Sequence, residues 1–184
     1  MRCKAWPLIG CAMLAVWAVC GPARGQSVMS DAAKKAIVYG MYADYRREFP
    51  GVPEVTPAEA MRLLEKGRAL FVDTRRPEEM AVSMLPGAVP QAEFLENPER
   101  YGGRTVIVYC TISYRSGLLA ARLAEQGVTV HNLRGGLLAW VLEGGRVYDG
   151  AGETRRIHVY GKKWHYPPAG YEAVTFGFWD RLRS

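Results

Sequence analysis

Cysteine is scarce in this sequence, with four in 184 residues. Three of them, Cys3, Cys11 and Cys20, lie within the first 25 residues, so Cys110 is the one cysteine of residues 26–184. A lone cysteine cannot form a disulfide within that stretch, which excludes a disulfide-stapled fold, and the chain is long enough to bury a core without one. Cys110 is therefore either a small buried apolar side chain or a reactive thiol.

The sequence also lacks a strong charge of either sign, a low-complexity tract and an internal repeat. The formal net charge is +6, but three of the basic residues lie in the first 25 positions, which contain no acidic residue. Without them 21 basic residues face 18 acidic ones, an excess of +3. So small an excess gives no argument for nucleic acid, and we expect no nucleic-acid partner.

No apolar run is long enough to span a bilayer comfortably. The longest, at about residues 8–20, follows two basic residues and precedes the small-residue pattern Ala23-Arg24-Gly25. This arrangement is typical of a cleaved export signal. We predict a signal peptide at residues 1–25, a periplasmic or secreted protein, and no stable membrane association once the signal is cleaved. The alternative is a membrane anchor through residues 8–20.

Export makes the lone thiol more informative. Exported proteins normally pair their cysteines or lack them, so an unpaired Cys110 in an oxidising compartment favours a functional role over simple burial.

Apolar strands alternate with helices between residues 53 and 150. The pattern predicts buried strands at 69–73, 105–110 and 128–133. It predicts helices from the Thr56 cap to Gly67, from Ser116 or Gly117 to Gly127, and at 137–144. This alternation indicates an α/β domain of three layers, α/β/α, around a central, mostly parallel sheet.

Two extensions flank this domain. Residues 26–52 form a predicted helical extension, with Ile37, Met41, Tyr45 and Phe49 spaced to share one helix face. Residues 151–184 have no helical period but are rich in aromatics. We expect this aromatic C-terminal extension to wrap the domain or pair as short strands, and the alternative is a surface that binds a protein partner. Its aromatic residues are Tyr160, Trp164, Tyr166, Tyr171, Phe176, Phe178 and Trp179.

The segment YCTISYRSG (109–117) places Cys110 at the end of one strand, directly before a helix. Ligands of open α/β sheets bind at the carboxyl ends of strands, where loop N–H groups and the positive end of a helix stabilise a thiolate. Arg115 adds a fixed positive charge and a fork of donors suited to oxyanions, unless it binds backbone carbonyls structurally. The segment predicts a nucleophilic Cys110 that attacks phosphorus or sulfur.

Three motifs in this order resemble those of the rhodanese-like sulfurtransferases. YCTISYRSG is similar to the active-site loop of that family, a cysteine followed by four residues and then arginine, serine and glycine. FVDTRRPEEMAVSMLPGAV (71–89) is similar to its aspartate-x-arginine segment, and NLRGGLLAW (132–140) to its leucine-x-glycine-glycine motif. The resemblance covers about residues 55–148, and implies that residues 53–150 are a single rhodanese-like domain.

The resemblance implies a reaction and a set of residues. Cys110 would take a sulfane sulfur from thiosulfate, a persulfide or a polysulfide, and a thiol or cyanide acceptor would then remove it. No cofactor and no metal are implied, and the partners are the small sulfur donor and the thiol acceptor. Asp73 and Arg75 would support the loop, or else form a surface pair at a strand end. The residues implied in substrate binding are Thr111, Ile112, Ser113, Tyr114, Arg115 and Ser116.

Loop length separates the alternatives. Four residues lie between Cys110 and Arg115, one fewer than in the related dual-specificity phosphatases and arsenate reductases, so a phosphatase or arsenate reductase is less favoured. A further alternative is a non-catalytic binding or redox-sensing module. Ile112 and Tyr114 stand in a loop where thiosulfate-using members commonly carry a glycine and a further charge, which favours a less anionic donor.

Overall fold

The structure is a computed structural model that describes residues 29–177. The predicted signal peptide and the two aromatics Phe178 and Trp179 lie outside the described residues. Between residues 29 and 177, none of the helices combines the length and the apolar character that crossing a membrane requires.

The central sheet has five parallel strands in the order β1-β5-β4-β2-β3. Their order across the sheet requires crossover connections, which the helices supply. Strands β2 and β4 are in register along their whole length, with Asp73 beside Tyr109, so the segments that follow both strands emerge at one edge of the sheet. The strands are β1 (Glu54–Val55), β2 (Ala69–Asp73), β3 (Val89–Pro90), β4 (Thr105–Tyr109) and β5 (His131–Leu133).

Helices cover both faces of this sheet, because alternate residues of each strand point to opposite faces. Phe71 packs with helix α6 on one face, and Val72 packs with α5 on the other. The three-layer α/β/α fold with a parallel sheet is therefore present. Six α-helices lie in the described part of the chain: α1 (Asp31–Tyr45), α2 (Pro57–Glu65), α3 (Pro77–Val82), α4 (Gln91–Glu96), α5 (Tyr114–Glu125) and α6 (Gly136–Leu142).

Helix α2 begins as predicted. The Thr56 hydroxyl accepts a hydrogen bond from the Glu59 N–H at 3.2 Å, and the Glu59 carboxylate accepts one from the Thr56 N–H at 2.9 Å. This reciprocal capping box satisfies two N–H groups that the first helical turn leaves without partners.

Two predicted starts were wrong by two residues or more. Helix α5 begins at Tyr114 instead of at Ser116 or Gly117, because Ser113 adopts a left-handed conformation (φ 63°, ψ 26°) that turns the loop directly into the helix. Strand β5 begins at His131 instead of at residue 128, since it has few partners: two pairs with β4 and two with β1.

The buried face of α1 also differs from the predicted one. Val38 and Tyr42 are buried at 0% and 1% exposure, whereas Ile37 and Met41 are only partly buried. Phe49 is buried as predicted, but it lies beyond the helix, after a 3₁₀ turn at Arg46–Glu48. The spacing of four predicted the right helix but a face rotated by one residue, because Val38 packs in the cluster that contains α6 and Tyr42 in the cluster that contains α5.

The C-terminal extension forms short strands and packs on the domain. Strand β6 (Val147–Asp149), at the end of the predicted domain, pairs with β7 (Gly152–Thr154) of the extension as a hairpin, and β8 (Arg156–His158) pairs in parallel with β9 (Glu172–Val174). Ile157 on β8 is fully buried in the core. The extension also meets α1, because the Asp31 carboxylate accepts a hydrogen bond from the Ala169 N–H at 3.0 Å.

Candidate active site

Cys110 lies at the carboxyl end of β4, and 2% of its surface is exposed. Its carbonyl accepts a hydrogen bond from the Leu137 N–H at 2.9 Å, so the first turn of α6 holds the loop from below. Gly136 packs so closely here that a Cβ would lie 2.5 Å from the Cys110 carbonyl oxygen and 2.8 Å from the Ser113 nitrogen. The leucine-x-glycine-glycine motif thus provides the close backbone approach that fixes the cysteine loop.

A buried asparagine holds the turn of the loop. Ser113 is the one residue other than glycine with a positive φ between residues 29 and 177. The Asn132 amide donates to the Ser113 carbonyl at 3.0 Å, and Asn132 Oδ1 accepts from the Ser116 hydroxyl at 2.8 Å. Such a strained residue persists where its surroundings hold it, and these bonds join β5 to the loop and to the first turn of α5.

Arg115 forms a two-point ion pair with Glu79 of α3. Its two terminal nitrogens donate to the two carboxylate oxygens at 2.7 and 2.8 Å. The Glu79 side chain is 2% exposed, and Nδ1 of His158 lies 3.0 Å from its Oε1. Burial raises the pKa of Glu79, but its contacts with His158 and Arg115 outweigh burial and hold that pKa well below its usual value. Glu79 is therefore ionised across the physiological range.

The Arg115 guanidinium also lies next to the thiol. Burial lowers the pKa of Arg115, but the hydrogen bonds to Glu79 and the charge of the Cys110 sulfur outweigh it and hold the pKa above its usual value. The guanidinium is therefore placed to interact with an anionic group bound at the sulfur. Arg115 stands in the first turn of α5, whose positive end faces this loop.

Above Cys110 is a pocket of about 220 Å³. Four of the six residues that the resemblance implied in substrate binding line this pocket. The other two, Ser113 and Ser116, are fully buried and do not line it. Two further walls come from the C-terminal extension. The Arg115 guanidinium lies 5.6 Å from the centroid of the Tyr160 ring. The lining residues are Cys110, Thr111, Ile112, Tyr114, Arg115, Tyr160 and Trp164.

Asp73 and Arg75 lie beneath the loop, and the alternative of a surface pair is wrong, because both side chains are 0% exposed. The Asp73 carboxylate accepts from Arg75 Nη2 at 2.6 Å and from the Tyr109 hydroxyl at 2.5 Å. Arg75 Nη2 also donates to the Ser83 carbonyl at 2.6 Å. Since Tyr109 directly precedes Cys110, this buried cluster connects the ends of β2 and β4 under the site.

Five residues of the site were not predicted: Glu79, Asn132, His158, Tyr160 and Trp164. Glu79 has a local signature, since its position three residues after Arg76 lets its carboxylate accept from the Arg76 N–H at 3.0 Å. Asn132 stands inside the third motif. No sequence pattern pairs the C-terminal aromatics with a loop about 50 residues earlier in the chain, so only the fold identifies them.

The family comparison agrees with this architecture. The rhodanese-like domain model matches residues 56–143. A sulfurtransferase from Allochromatium vinosum is 37% identical over 89 residues, which are 46% of this chain and 83% of that protein. A thiosulfate sulfurtransferase structure from Pseudomonas aeruginosa is 25% identical, covers 66% of this chain and 24% of its own, and has a TM-score of 0.47.

Other relatives carry different names. A tRNA uridine(34) hydroxylase from Cupriavidus metallidurans is 31% identical over 135 residues, or 64% of this chain and 48% of that protein. A HTH-type transcriptional regulator from Mycobacterium tuberculosis is 37% identical over 108 residues, or 55% and 48%. The chain thus spans about half the length of these two relatives.

Fold and site together define an α/β domain with a cysteine loop between a central strand and a helix. The chain belongs to the rhodanese-like domain family. Membership, with a relative named as a sulfurtransferase, supports a sulfurtransferase-like function for this chain, while the names of the other relatives leave reaction and substrate to be argued from the site.

Proposed function

We propose that this protein transfers a sulfane sulfur through a persulfide on Cys110. The observation that carries the proposal is the setting of that thiol. It lies at the floor of a small pocket, beside the first turn of α5 and beside a guanidinium whose position is fixed by Glu79. A fixed positive charge and a helix N-terminus are the features that turn a buried cysteine into a nucleophile and stabilise an anionic sulfur on it.

The first half of the reaction is a displacement at sulfur. The Cys110 thiolate attacks the outer sulfur of the donor, a Cys110 S–S bond forms, and the donor's own bond to that sulfur breaks. The electron pair of the broken bond leaves with the donor, as sulfite from thiosulfate or as a thiolate from an organic persulfide. The outer sulfur remains on Cys110 as the persulfide.

In the second half an acceptor nucleophile attacks the outer sulfur of that persulfide. The Cys110 thiolate leaves, and the product is thiocyanate from cyanide or a new persulfide from a thiol. Splitting one transfer into two displacements lowers the barrier of each, and neither displacement needs an external oxidant or reductant. We propose a small thiol as the acceptor in the cell and a periplasmic or extracellular location.

The test measures the intact mass of the protein and its sulfur-transfer turnover on the same preparation. After incubation with a sulfane donor, the wild-type protein is expected to gain about 32 Da, the mass of one sulfur atom as a persulfide. Addition of cyanide should remove this mass and release thiocyanate. Cys110→Ser should show neither the mass gain nor the release of thiocyanate. The fold should stay intact, because serine differs from cysteine only by a slightly smaller side chain.

A wild-type protein inert with thiosulfate, polysulfide and glutathione persulfide would overturn the proposal. Cys110-dependent hydrolysis of p-nitrophenyl phosphate or reduction of arsenate without sulfur transfer would instead indicate the phosphorus or arsenic chemistry. A large thiol adduct on Cys110 that no acceptor removes would indicate the binding or redox-sensing module.

A further inference from the structure

Two walls of the Cys110 pocket come from a segment outside the family match. The family model ends at residue 143, whereas Tyr160 and Trp164 belong to the C-terminal extension and line the pocket with the cysteine loop. The family domain by itself therefore leaves this side of the thiol open, and this chain covers it with two aromatic side chains.

The extension is fixed in place where it passes the thiol. Val159 is fully buried, and its N–H donates to the Val174 carbonyl at 2.9 Å. The backbone N–H of Trp164 donates to the Gly161 carbonyl at 3.0 Å, which closes a tight turn between Tyr160 and Trp164. Their rings meet edge to face at 5.7 Å between centroids. The aromatic wall is therefore a built part of the pocket.

The charge of the pocket is balanced. Among residues 29–177, Arg115 is the one charged side chain in the lining, and Glu79 pairs with it through two hydrogen bonds. Lys163 is nearby, but its ammonium lies over the rings of Tyr45 and Trp164, 5.4 Å from each centroid, and is not part of the lining. A dianionic donor would find no cation in this lining beyond the paired Arg115, so desolvating its second charge would be costly.

The pocket is also small and mostly apolar. Its volume of about 220 Å³ lies below the roughly 300–1,000 Å³ of pockets that hold drug-sized ligands. Two buried polar atoms in its lining residues have no hydrogen-bond partner among residues 29–177, the Thr111 hydroxyl and the Trp164 indole nitrogen. The size and the apolar lining suit a slender apolar reactant.

We propose that Tyr160 and Trp164 are specificity-determining residues that select small alkyl persulfides as donors over thiosulfate and over bulky persulfides. The inference rests on the proposed sulfur transfer. The Cys110 thiolate attacks the outer sulfur of the alkyl persulfide, the S–S bond breaks, and the alkyl thiolate leaves with the electron pair. In this proposal the aromatic wall contacts the alkyl chain.

The test compares kcat/KM for ethyl persulfide, glutathione persulfide and thiosulfate, with cyanide as the acceptor and the full chain as the enzyme. Wild type is expected to prefer ethyl persulfide over both other donors. Trp164→Ala and Tyr160→Ala should each reduce the preference over glutathione persulfide by roughly 10-fold or more, the size of effect that a changed apolar pocket has on selection. Tyr160 is 40% exposed, so its substitution leaves the fold intact even where that of Trp164 does not.

Tyr171→Ala is the matched control, because Tyr171 is a partly buried aromatic of the same extension that does not line the pocket. Its donor preference should equal that of wild type. A wild type that turns over thiosulfate or glutathione persulfide at least as efficiently as ethyl persulfide would overturn the inference and leave Cys110-dependent sulfur transfer standing. So would unchanged donor ratios in folded Tyr160→Ala. Absence of Cys110-dependent turnover with every donor would instead overturn the proposed function.

Discussion

Glu79→Gln is the substitution that most directly measures how the loop arginine is held. The change removes one negative charge from a side chain that is 2% exposed and leaves Arg115 without its counter-ion. Removing one partner of a buried ion pair costs about 3–5 kcal/mol, because the remaining charge stays buried. Arg115 is one-third exposed and the amide can keep one hydrogen bond, so we expect a loss just below that range, about 2–3 kcal/mol.

The measurement is urea unfolding, with thermal unfolding alongside. A loss of this size corresponds to a decrease in Tm of roughly 5–10 °C for a chain of this length. Glu78→Gln is the control, because Glu78 is the adjacent carboxylate of α3 and its contact with Arg76 spans 3.8 Å at the surface. Its effect should stay within about 0.5 kcal/mol.

The pH dependence gives a second check. The pKa of Glu79 is depressed in the folded chain below its ordinary value of 4.5. Its stabilising contribution is therefore complete above pH 4.5 and decreases as the pH falls below it, because the unfolded chain then takes up a proton that the folded chain does not. The stability difference between wild type and Glu79→Gln should be constant near pH 6 and shrink towards pH 3. A loss no larger than that of Glu78→Gln, or a difference that does not change down to pH 3, would refute the ion-pair argument.

Two further predictions concern the loop. Gly136→Ala should lower stability by about 2 kcal/mol or more and strongly lower sulfur-transfer activity, because the new Cβ would lie 2.5 Å from the Cys110 carbonyl oxygen. The control is Gly144→Ala: Gly144 also has a positive φ, but its Cβ would meet nothing within 4 Å, so the change should cost only about 1 kcal/mol and keep activity. Equal effects of the two substitutions would contradict the argument. Asn132→Ala should lower the stability of the fold by about 1–3 kcal/mol, because it leaves the buried Ser113 carbonyl and Ser116 hydroxyl without their partner. It should also lower kcat in a thiocyanate assay. Unchanged stability and kcat would show that other contacts hold the left-handed turn at Ser113.

Much of the fold followed from local pattern. The apolar runs at 69–73 and 105–109 read as buried parallel strands because both of their faces are covered. The start of α2 was predictable to the residue because a capping box depends only on Thr56, Pro57 and Glu59. The start of α5 was not, because it depends on a left-handed Ser113 that Asn132 holds from another strand.

The site divides in the same way. The sequence by itself determined the position of the lone thiol, the length of its loop and the neighbouring arginine, because these residues lie close together in the chain between a strand and a helix. It did not determine what Arg115 pairs with or what covers Cys110. Glu79, His158, Tyr160 and Trp164 reach the thiol from α3 and from the C-terminal extension, and only packing brings them there. The charge balance and the shape of the pocket depend on contacts between residues that are distant in sequence, so the tertiary structure alone decided them.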